Sequence, residues 1–323
     1  MISIVDLVTN EKTEISDIVN YKDTGNPIHI VSEHPSKNDI VLMHLITAIP
    51  IDDLNDALDI DEQPRLEDEL DEDPSFLKLV LRTPALDASE LLGIHKETTY
   101  PMIIFMLEQK IVSIQYSFAS TKIRRKKKGK NPAFDISIHA TLGIIEKVVS
   151  SFEYAVNIID RTLDIIEADI FKTSFRYQDS MKKVFQLARS GTYLDAALSA
   201  NLSALRRMSR LNLFKTSEEM TERLEDVIID LTQQQELLVI YKKLIENSID
   251  GFASVVSNNQ NNLLKLLASM SLILTIPTTL SSLYGMNVLL PFQENPWAFW
   301  IIIGISALMI VPTLILLRKL TLL

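Results

Sequence analysis

The sequence predicts an α/β domain followed by a long stalk helix and two C-terminal transmembrane helices. Three observations support this fold class. Short β-type runs alternate with helical patterns over residues 1–118, apolar residues recur three and four apart from about residue 134, and two uncharged segments of membrane length lie beyond residue 265. The domains we expect are a cytosolic α/β domain at 1–133, a cytosolic helical section at 134–215 and a stalk helix at 216–284 that continues into the first transmembrane helix.

The first part of the chain carries four strand patterns and two helical patterns. The strand patterns are the runs IHIVSE, FLKLVLRT, PMIIFML and KIVSIQY, which are rich in β-branched and other apolar residues. The helical patterns are KNDIVLMHLIT and IDDLNDALD, whose apolar residues recur at helical spacing. Strands and helices that alternate in this way are typical of an α/β domain.

Charge and cysteine content exclude several classes of function. The 323 residues carry a formal net charge of −10, which argues against nucleic acid as a partner. No cysteine is present, so disulfide scaffolds and thiolate metal sites are excluded. The first residues, MISIVDLVTNEKTEISDIV, lack the basic start and apolar core of a signal peptide, so we expect this part of the chain in the cytosol.

Two charged runs each permit more than one interpretation. Residues 52–73 hold twelve acids and one base, Arg65, a pattern that fits a solvated acidic face or a surface that attracts cations towards an entrance. Residues 122–130, KIRRKKKGK, hold seven basic side chains. This second run fits a solvated loop between a strand and a helix, or a contact with anionic lipid headgroups.

From residue 134 onward the pattern is helical up to the membrane. Thr216 and Glu219 have the spacing of a capping box, and after them no proline occurs until Pro277. A single helix from about 217 to 284 would be roughly 100 Å long at 1.5 Å per residue. We interpret this helix as a stalk that carries a cytosolic signal into a membrane span.

Two apolar segments are long enough to cross a bilayer. Residues 266–284 and 297–317 are both free of charged side chains, and about 20 such residues span the hydrocarbon layer. Lys265 precedes the first span, and Arg318 and Lys319 begin a short tail, 318–323, after the second. The connecting loop at 285–296 has no basic residue, so the positive-inside rule predicts a multi-pass protein of the cell membrane with both termini in the cytoplasm.

The first span carries a polar stripe along one face. Hydroxyl side chains four, three and four residues apart share a helical face; they are Ser271, Thr275, Thr278 and Ser282. Steps of three and four back towards the stalk reach Leu264, Asn261 and Asp250 on the same face. A polar stripe at bilayer depth should face water or protein. Packing of helices through small residues is the competing explanation, but several copies surrounding a column of water account better for a stripe that continues outside the membrane.

The end of the first span resembles a known family. Tyr284-Gly285-Met286-Asn287 matches the Gly-Met-Asn signature of CorA-type magnesium channels, and the upstream DGFASVVSNNQNNLLKLL is similar to that family's pore helix. The resemblance covers the whole order of segments, from the acidic α/β domain to the basic tail. It implies a funnel-shaped homopentamer in which the first span of each protomer lines the pore, with membrane lipid around it and no other obligate protein partner.

The resemblance also implies roles for individual residues. Gly285, Met286 and Asn287 would form the outer selectivity filter for hydrated Mg²⁺. Glu294 would recruit ions at the outer loop. Pore positions would be Asp250, Asn258, Asn261, Leu264 and Leu267, with the leucines as a hydrophobic constriction. Mg²⁺ would be both cargo and regulator, because Asp226 on the stalk matches one partner of an inter-protomer Mg²⁺ site and Asp87 is the candidate for the other, unless it is an ordinary exposed acid.

Some residues depart from the family pattern, and other functions stay open. The loop VLLPFQENP lacks the family's Met-Pro-Glu-Leu sequence, and Ser281-Ser282 replace its usual small apolar pair. A transporter for zinc or another divalent cation shares the filter motif and is the nearest alternative. A two-span sensor or scaffold that conducts nothing is a further one, although an anchor needs no polar stripe. No clustered nucleophile and base, phosphate loop or His-Glu-x-x-His pattern occurs, so an enzyme is the least favoured class.

Overall fold

A computed structural model describes most of the chain. The residues it describes are 2–15, 21, 25–71, 73–85, 98–116, 132–170, 177–215, 217–288, 290–291 and 295–320, with side chains from 136 to 168 in the first long helix and from 179 in the next. The predictions for Asp87, Glu294, Thr216 and the basic run 122–130 fall outside these residues. The chain forms two compact units, Met1–Ser248 and Ile249–Leu323, which are taken in turn.

The first unit contains one sheet of seven strands. The strands are β1 (Ile2–Asp6), β2 (Lys12–Ile15), β3 (Ile28–Glu33), β4 (Arg65–Glu69), β5 (Phe76–Pro84), β6 (Thr99–Met106) and β7 (Lys110–Gln115). Their order across the sheet is β2-β1-β3-β7-β6-β5-β4. Only β3 and β7 pair in parallel, with Ile30 opposite Val112, and the remaining pairs are antiparallel. The four predicted strand runs are confirmed, and β1, β2 and β4 are additional.

Two helices lie between the third and fourth strands of the chain, and the others follow the last strand. The helices are α1 (Lys37–Thr47), α2 (Ile51–Asn55), α3 (Pro132–Ile170), α4 (Tyr177–Met208), α5 (Glu218–Tyr284) and α6 (Ala298–Lys319), with single turns of 3-10 helix at Asp56–Leu58 and Asn212–Lys215. Both predicted helical patches are confirmed as α1 and as α2 with the turn that follows it. The long helix is confirmed as α5.

The sheet is covered on both faces. On one face, α1 and α2 bury their apolar side chains against alternate residues of the central strands, including Ile30, Val80 and Phe105. Because side chains alternate along a strand, the intervening residues point to the other face, where α3 and α4 pack against β5 and β6. A sheet with two buried faces explains why β5 and β6 read as nearly continuous apolar runs.

Serine hydroxyls cap the N-terminal ends of α1 and α5. Ser36 and Asp39 form a capping box at the start of α1, and Ala48 ends it in the left-handed conformation. At α5 the hydroxyl that accepts a backbone N–H belongs to Ser217, which bonds Met220 N at 3.2 Å. The helix begins at Glu218, directly after this serine.

The second unit consists of the C-terminal part of α5, an outer turn and α6. Both helices are long and apolar enough to cross a membrane. Their most apolar 18-residue windows are only 6% and 11% buried, which distinguishes them from core helices of a soluble protein. Each contains an internal proline, Pro277 in α5 and Pro312 in α6.

Candidate functional site

The polar stripe and the shielded face of the first span lie on opposite sides of the helix. Between residues 264 and 285 every stripe side chain is exposed, including Ser271, Thr275, Thr278 and Ser282. The buried or half-buried positions in this stretch are Ser269, Ile273, Ile276, Pro277, Leu280 and Tyr284. At about 100° per residue the centre of this second set lies about 180° from the stripe. One chain therefore covers the flank opposite the hydroxyls and leaves the hydroxyls uncovered.

Two of the stripe hydroxyls donate their protons to carbonyl groups within the helix. Thr275 Oγ1 donates to the Ser271 carbonyl at 2.8 Å, and Thr278 Oγ1 donates to the Leu274 carbonyl at 2.7 Å. A hydroxyl has one proton and two lone pairs, so these two oxygens can only accept further hydrogen bonds. The waters around a cation direct their hydrogens outward. Acceptor-only hydroxyls therefore suit a hydrated cation.

The stripe ends at a helix terminus that also favours cations. Gly285 N bonds the carbonyls of Ser281 (2.9 Å) and Ser282 (3.2 Å), and Met286 N bonds that of Leu283 (3.2 Å). The last turn of α5 contains no basic residue. The C-terminal end of a helix carries partial negative charge, which here lies directly beside Gly285, Met286 and Asn287.

Gly285 is not required by the fold of a single chain. Its backbone does not adopt the left-handed conformation, which among the described glycines occurs only at Gly25. A Cβ added at Gly285 would meet the carbonyl oxygens of Ser281 and Ser282 at 3.4 and 3.5 Å, ordinary contact distances. Gly285 therefore does not end α5 in the left-handed conformation that favours glycine.

Two side chains organise the outer turn. Tyr284, the last residue of α5, donates its hydroxyl to the Pro291 carbonyl at 3.0 Å. Asn295 accepts from Trp297 N at 2.9 Å through its side-chain oxygen, immediately before α6. Neither contact was predicted from the sequence. For the first of them, the available signal was a tyrosine at the end of an apolar segment, because a tyrosine hydroxyl usually needs a hydrogen-bond partner.

The remaining pore candidates lie further back on α5. Asp250, Asn258, Asn261, Leu264 and Leu267 are all exposed, the two leucines by 63% and 61%. The two leucines belong to an exposed apolar stretch that also contains Leu263 and Leu266, which is unusual for a helix in water. At about 100° per residue, Asn258 lies about 80° around the helix from Asp250 and about 60° from Asn261, so it is at the edge of the polar stripe.

Asp226 is exposed on α5, whereas other side chains in the same part of the helix contact α3 and α4. One turn earlier, Arg223 points to α3, where its Nε donates to Glu146 at 2.9 Å and its Nη1 contacts His139 Nδ1 at 2.8 Å. Further along α5, Lys242 pairs with Asp195 of α4 at 2.8 Å. Among the described side chains of one chain, no three His, Asp or Glu residues form a group that could hold a metal ion.

The acidic run 52–73 is partly neutralised by a buried lysine, Lys78, which was not predicted from the sequence as a partner of these acids. Lys78 of β5 has a side chain only 2% exposed, and its Nζ lies 3.0, 2.6 and 2.9 Å from Asp53, Asp56 and Glu67. Arg65 pairs with Glu62, Glu67 and, at 2.8 Å, Asp56. Four of the twelve acids thus stabilise the fold, whereas Asp52, Asp59, Asp61, Asp68, Asp71 and Asp73 are exposed.

Glu67 and Lys78 stabilise each other in their charged forms. Burial raises the pKa of Glu67, but hydrogen bonds from Arg65 and Lys78 outweigh it and lower the pKa overall. Burial lowers the pKa of Lys78, but its hydrogen bonds to Asp56, Glu67 and Asp53 outweigh it and raise the pKa overall. Both shifts favour the charged forms of Glu67 and Lys78.

Comparison with known proteins agrees along nearly the whole chain. Residues 28–319 match the family described as CorA-like Mg²⁺ transporter protein. The cobalt/magnesium transport protein CorA of Methanocaldococcus jannaschii is 23% identical over 290 residues, 88% of each chain. The magnesium transport protein CorA of Campylobacter jejuni is 25% identical over 149 residues, 46% of this chain and 45% of that protein.

Solved structures share the fold. The complete CorA magnesium transporter of Methanocaldococcus jannaschii superposes with a TM-score of 0.76 at 20% identity, covering 98% of this chain and 97% of that one. The full-length CmaX protein gives 0.65 at 15% identity, with coverages of 98% and 97%. The ZntB cytoplasmic domain of Vibrio parahaemolyticus gives 0.53 at 14% identity, with coverages of 80% and 97%.

These matches confirm the predicted combination of an α/β domain, a long helix and an apolar C-terminal helix. The family match extends from β3 to the last residue of α6, and so includes the polar stripe and the turn after Tyr284. This chain therefore belongs to the family of CorA-like Mg²⁺ transporter proteins.

Proposed function

We propose that identical copies of this chain, five by resemblance to the family, surround a water-filled path and conduct Mg²⁺ across the cell membrane into the cytosol. One observation carries the proposal. The hydroxyl stripe of the first span lies opposite the flank that the chain itself shields, so a single copy leaves its polar face uncovered at bilayer depth. Exposing such a face to lipid is costly, and copies arranged around a central axis would turn it towards water.

The residues of this path suit a hydrated ion. Mg²⁺ gives up its octahedral waters reluctantly, so a filter works best by accepting hydrogen bonds from those waters. Thr275 and Thr278 offer acceptors only, since their protons bond helix carbonyls. Asn287 supplies an amide oxygen beside the partially negative end of α5. None of these groups carries a full charge that would trap the ion.

The cytosolic half of the path would control passage. Leu264 and Leu267 would form rings of apolar side chains that exclude water when the helices are close together. Asp250 would concentrate cations at the inner mouth. Bound Mg²⁺ between Asp226 of one copy and Asp87 of the next would hold the stalks together, and loss of this ion would leave like charges facing each other and open the path.

Orientation follows from the charges that flank the spans. Lys265 before the first span and Arg318 and Lys319 after the second place both termini in the cytoplasm. The loop at 285–296 then faces outside, where Glu294 would attract cations. The division into a cytosolic α/β domain at 1–133, a helical section at 134–215, a stalk at 216–284 and a second span at 297–317 is part of the same proposal.

A transporter for zinc or another divalent cation is the second candidate. The likeness to the ZntB cytoplasmic domain concerns the fold, and the Gly-Met-Asn motif does not discriminate between these ions. The absence of cysteine disfavours a path built for soft metals. A sensor or scaffold that conducts nothing, or an enzyme, would leave the stripe without a purpose.

Ion uptake into liposomes that contain the purified full chain tests the proposal. We expect Mg²⁺ uptake by the wild type and a loss of at least roughly tenfold in Asn287→Ala, because a filter group contributes several kcal/mol in the ion path. Asn157→Ala is the matched control, since this amide is exposed on α3. Its uptake should equal that of the wild type.

Two results would refute the proposal. Absence of divalent-cation uptake by the assembled wild type would indicate a non-conducting protein. Uptake that is unchanged in Asn287→Ala would remove the filter assignment. A preference for Zn²⁺ over Mg²⁺ in the same assay would favour the second candidate.

A further inference from the structure

The hydrogen bond between Tyr284 and Pro291 closes the outer turn around the Gly-Met-Asn motif. The Tyr284 hydroxyl donates to the Pro291 carbonyl at 3.0 Å, and both groups belong to the second unit. Asn287 lies three residues after Tyr284 and four before Pro291. The bond therefore ties together the two ends of a short segment whose centre is the proposed filter amide.

The carbonyl that accepts this bond belongs to a proline. Pro291 has no backbone N–H, so its carbonyl is its only backbone hydrogen-bonding group. On the other side of the segment, Gly285 N and Met286 N bond back into the last turn of α5. The motif thus begins on a rigid helix end, and the tyrosine hydroxyl holds the far side of the turn to that same helix end.

We propose that Tyr284 is a positioning residue for ion permeation, acting through the Pro291 carbonyl on Asn287. This inference rests on the proposed function. A filter group must be held within a fraction of an ångström of its working position, because a mobile amide spends less time where the ion passes. A turn closed at both ends restricts Asn287 more than a turn tethered at one end.

Tyr284→Phe isolates this role, because it removes the hydroxyl and keeps the ring. Loss of one hydrogen bond worth ~1 kcal/mol corresponds to about a fivefold effect. We therefore expect the Mg²⁺ concentration for half-maximal uptake into liposomes to rise about fivefold. Selectivity for Mg²⁺ over Co²⁺ should fall as well, because a looser filter discriminates less between ions of similar size.

The matched control is Tyr154→Phe. Tyr154 is 50% exposed on α3, so the same change of side chain should leave uptake unaltered. Amide hydrogen exchange adds a readout that does not depend on transport. In Tyr284→Phe we expect faster exchange confined to the segment after α5, with unchanged oligomer mass and unchanged thermal unfolding.

The outcomes separate this inference from the function on which it rests. Wild-type half-saturation and selectivity in Tyr284→Phe, together with a loss of uptake in Asn287→Ala, would overturn the positioning role and leave the transport proposal intact. Loss of assembled protein in proportion to lost uptake would also overturn it, since the hydroxyl would then serve stability alone. Failure of the wild type to take up Mg²⁺ would instead refute the proposed function.

Discussion

Asn201 pairs with the backbone of Arg82 as a neighbouring β-strand would. Its side-chain oxygen accepts from Arg82 N at 2.9 Å, and its side-chain nitrogen donates to Arg82 O at 2.8 Å. Strand β4 pairs with β5 only as far as Val80. A single amide from α4 thus satisfies the buried backbone of β5 where its neighbouring strand has ended.

Asn201→Leu should destabilise the first unit strongly. Asn201 is fully buried, so the substitution removes two buried hydrogen bonds to the Arg82 backbone, at a cost of about 2–4 kcal/mol in unfolding free energy. Chemical denaturation of the full chain in detergent measures this loss. Ser199→Ala, exposed on the same helix, should change the unfolding free energy by no more than about 0.5 kcal/mol. A similarly small effect for Asn201→Leu would contradict the strand-like role of the amide.

Lys78→Met should destabilise the same unit by leaving carboxylates without their cation. The lysine is buried, but its partners Asp53, Asp56 and Glu67 are about a third exposed. We therefore expect a loss of about 2–3 kcal/mol, below the range for a fully buried pair. Lys12→Met is the control, because Lys12 is 56% exposed and pairs with an exposed Glu14 at 3.5 Å.

The effect of Lys78→Met should depend on pH in a direction set by the shifted groups. Glu67 has a pKa lowered below its ordinary value of 4.5, so its contribution is present above that value and is lost as pH falls through the lowered pKa. Lys78 has a raised pKa, so its contribution is lost only as pH rises through a value above 10.5. The difference in unfolding free energy between wild type and variant should be constant near neutrality and shrink below pH 4.5. A constant difference across the acid range would contradict the coupling between Lys78 and Glu67.

Elements with a strong period could be predicted from the sequence, whereas contacts between distant segments could not. The runs that became β3 and β5 are rich in β-branched and other apolar residues, and the stripe on α5 repeats at helical spacing. Strand β4, RLEDE, was missed because four of its five residues are charged and only Leu66 is buried. One of its acids, Glu67, pairs with Lys78, and the apolar run around that lysine does not indicate which residues contact it.

The candidate site also combines features that the sequence predicts with features that depend on packing. Stripe residues follow from spacing alone, but the shielded flank opposite them depends on how the chain packs. The bond between Tyr284 and Pro291 depends on the path of a turn, which local propensity does not determine. At the start of α5, Ser217 accepts a hydrogen bond from Met220 N, a contact that the spacing of Thr216 and Glu219 did not predict.

Asp226→Lys should weaken inhibition by cytosolic Mg²⁺. If Asp226 shares a regulatory ion with a neighbouring copy, a cation in its place repels that ion and shifts the closed state towards the open one. We expect the Mg²⁺ concentration that halves the current to rise roughly tenfold or more. Glu225→Lys makes the same change of charge on the adjacent exposed residue and should leave inhibition near the wild-type value. Equal effects of the two variants would indicate a general effect of surface charge instead.

Thr278→Val should reduce Mg²⁺ uptake while leaving the helix intact. Valine has the shape of threonine but lacks the acceptor oxygen, which should cost about fivefold to tenfold in uptake rate. Thr313→Val is the control, because Thr313 makes the same bond to a carbonyl four residues earlier, at 2.8 Å to Met309, in the second span. Thr278→Ser should restore uptake, since serine also presents an acceptor. Uptake by Thr278→Val at the wild-type rate would remove this hydroxyl from the ion path.

Gly285→Ala separates the needs of one chain from the needs of an assembly. Among the described residues of one chain a methyl group at Gly285 meets nothing closer than 3.4 Å, and the backbone conformation is open to any residue. The variant should therefore fold and unfold as the wild type does. Around a shared axis, however, several methyl groups would enter the narrowest part of the path and displace the waters of the ion. We expect Mg²⁺ uptake to fall by at least roughly tenfold.

Gly304→Ala provides the comparison, because nothing lies within 4 Å of a Cβ added at Gly304 in the second span. Its uptake and its unfolding should both match the wild type. Wild-type uptake by Gly285→Ala would mean that the turn after α5 is not close to its counterparts in other copies. A fall in stability that accompanies the fall in uptake would instead indicate that glycine serves the turn of the single chain, contrary to its contacts and its backbone conformation.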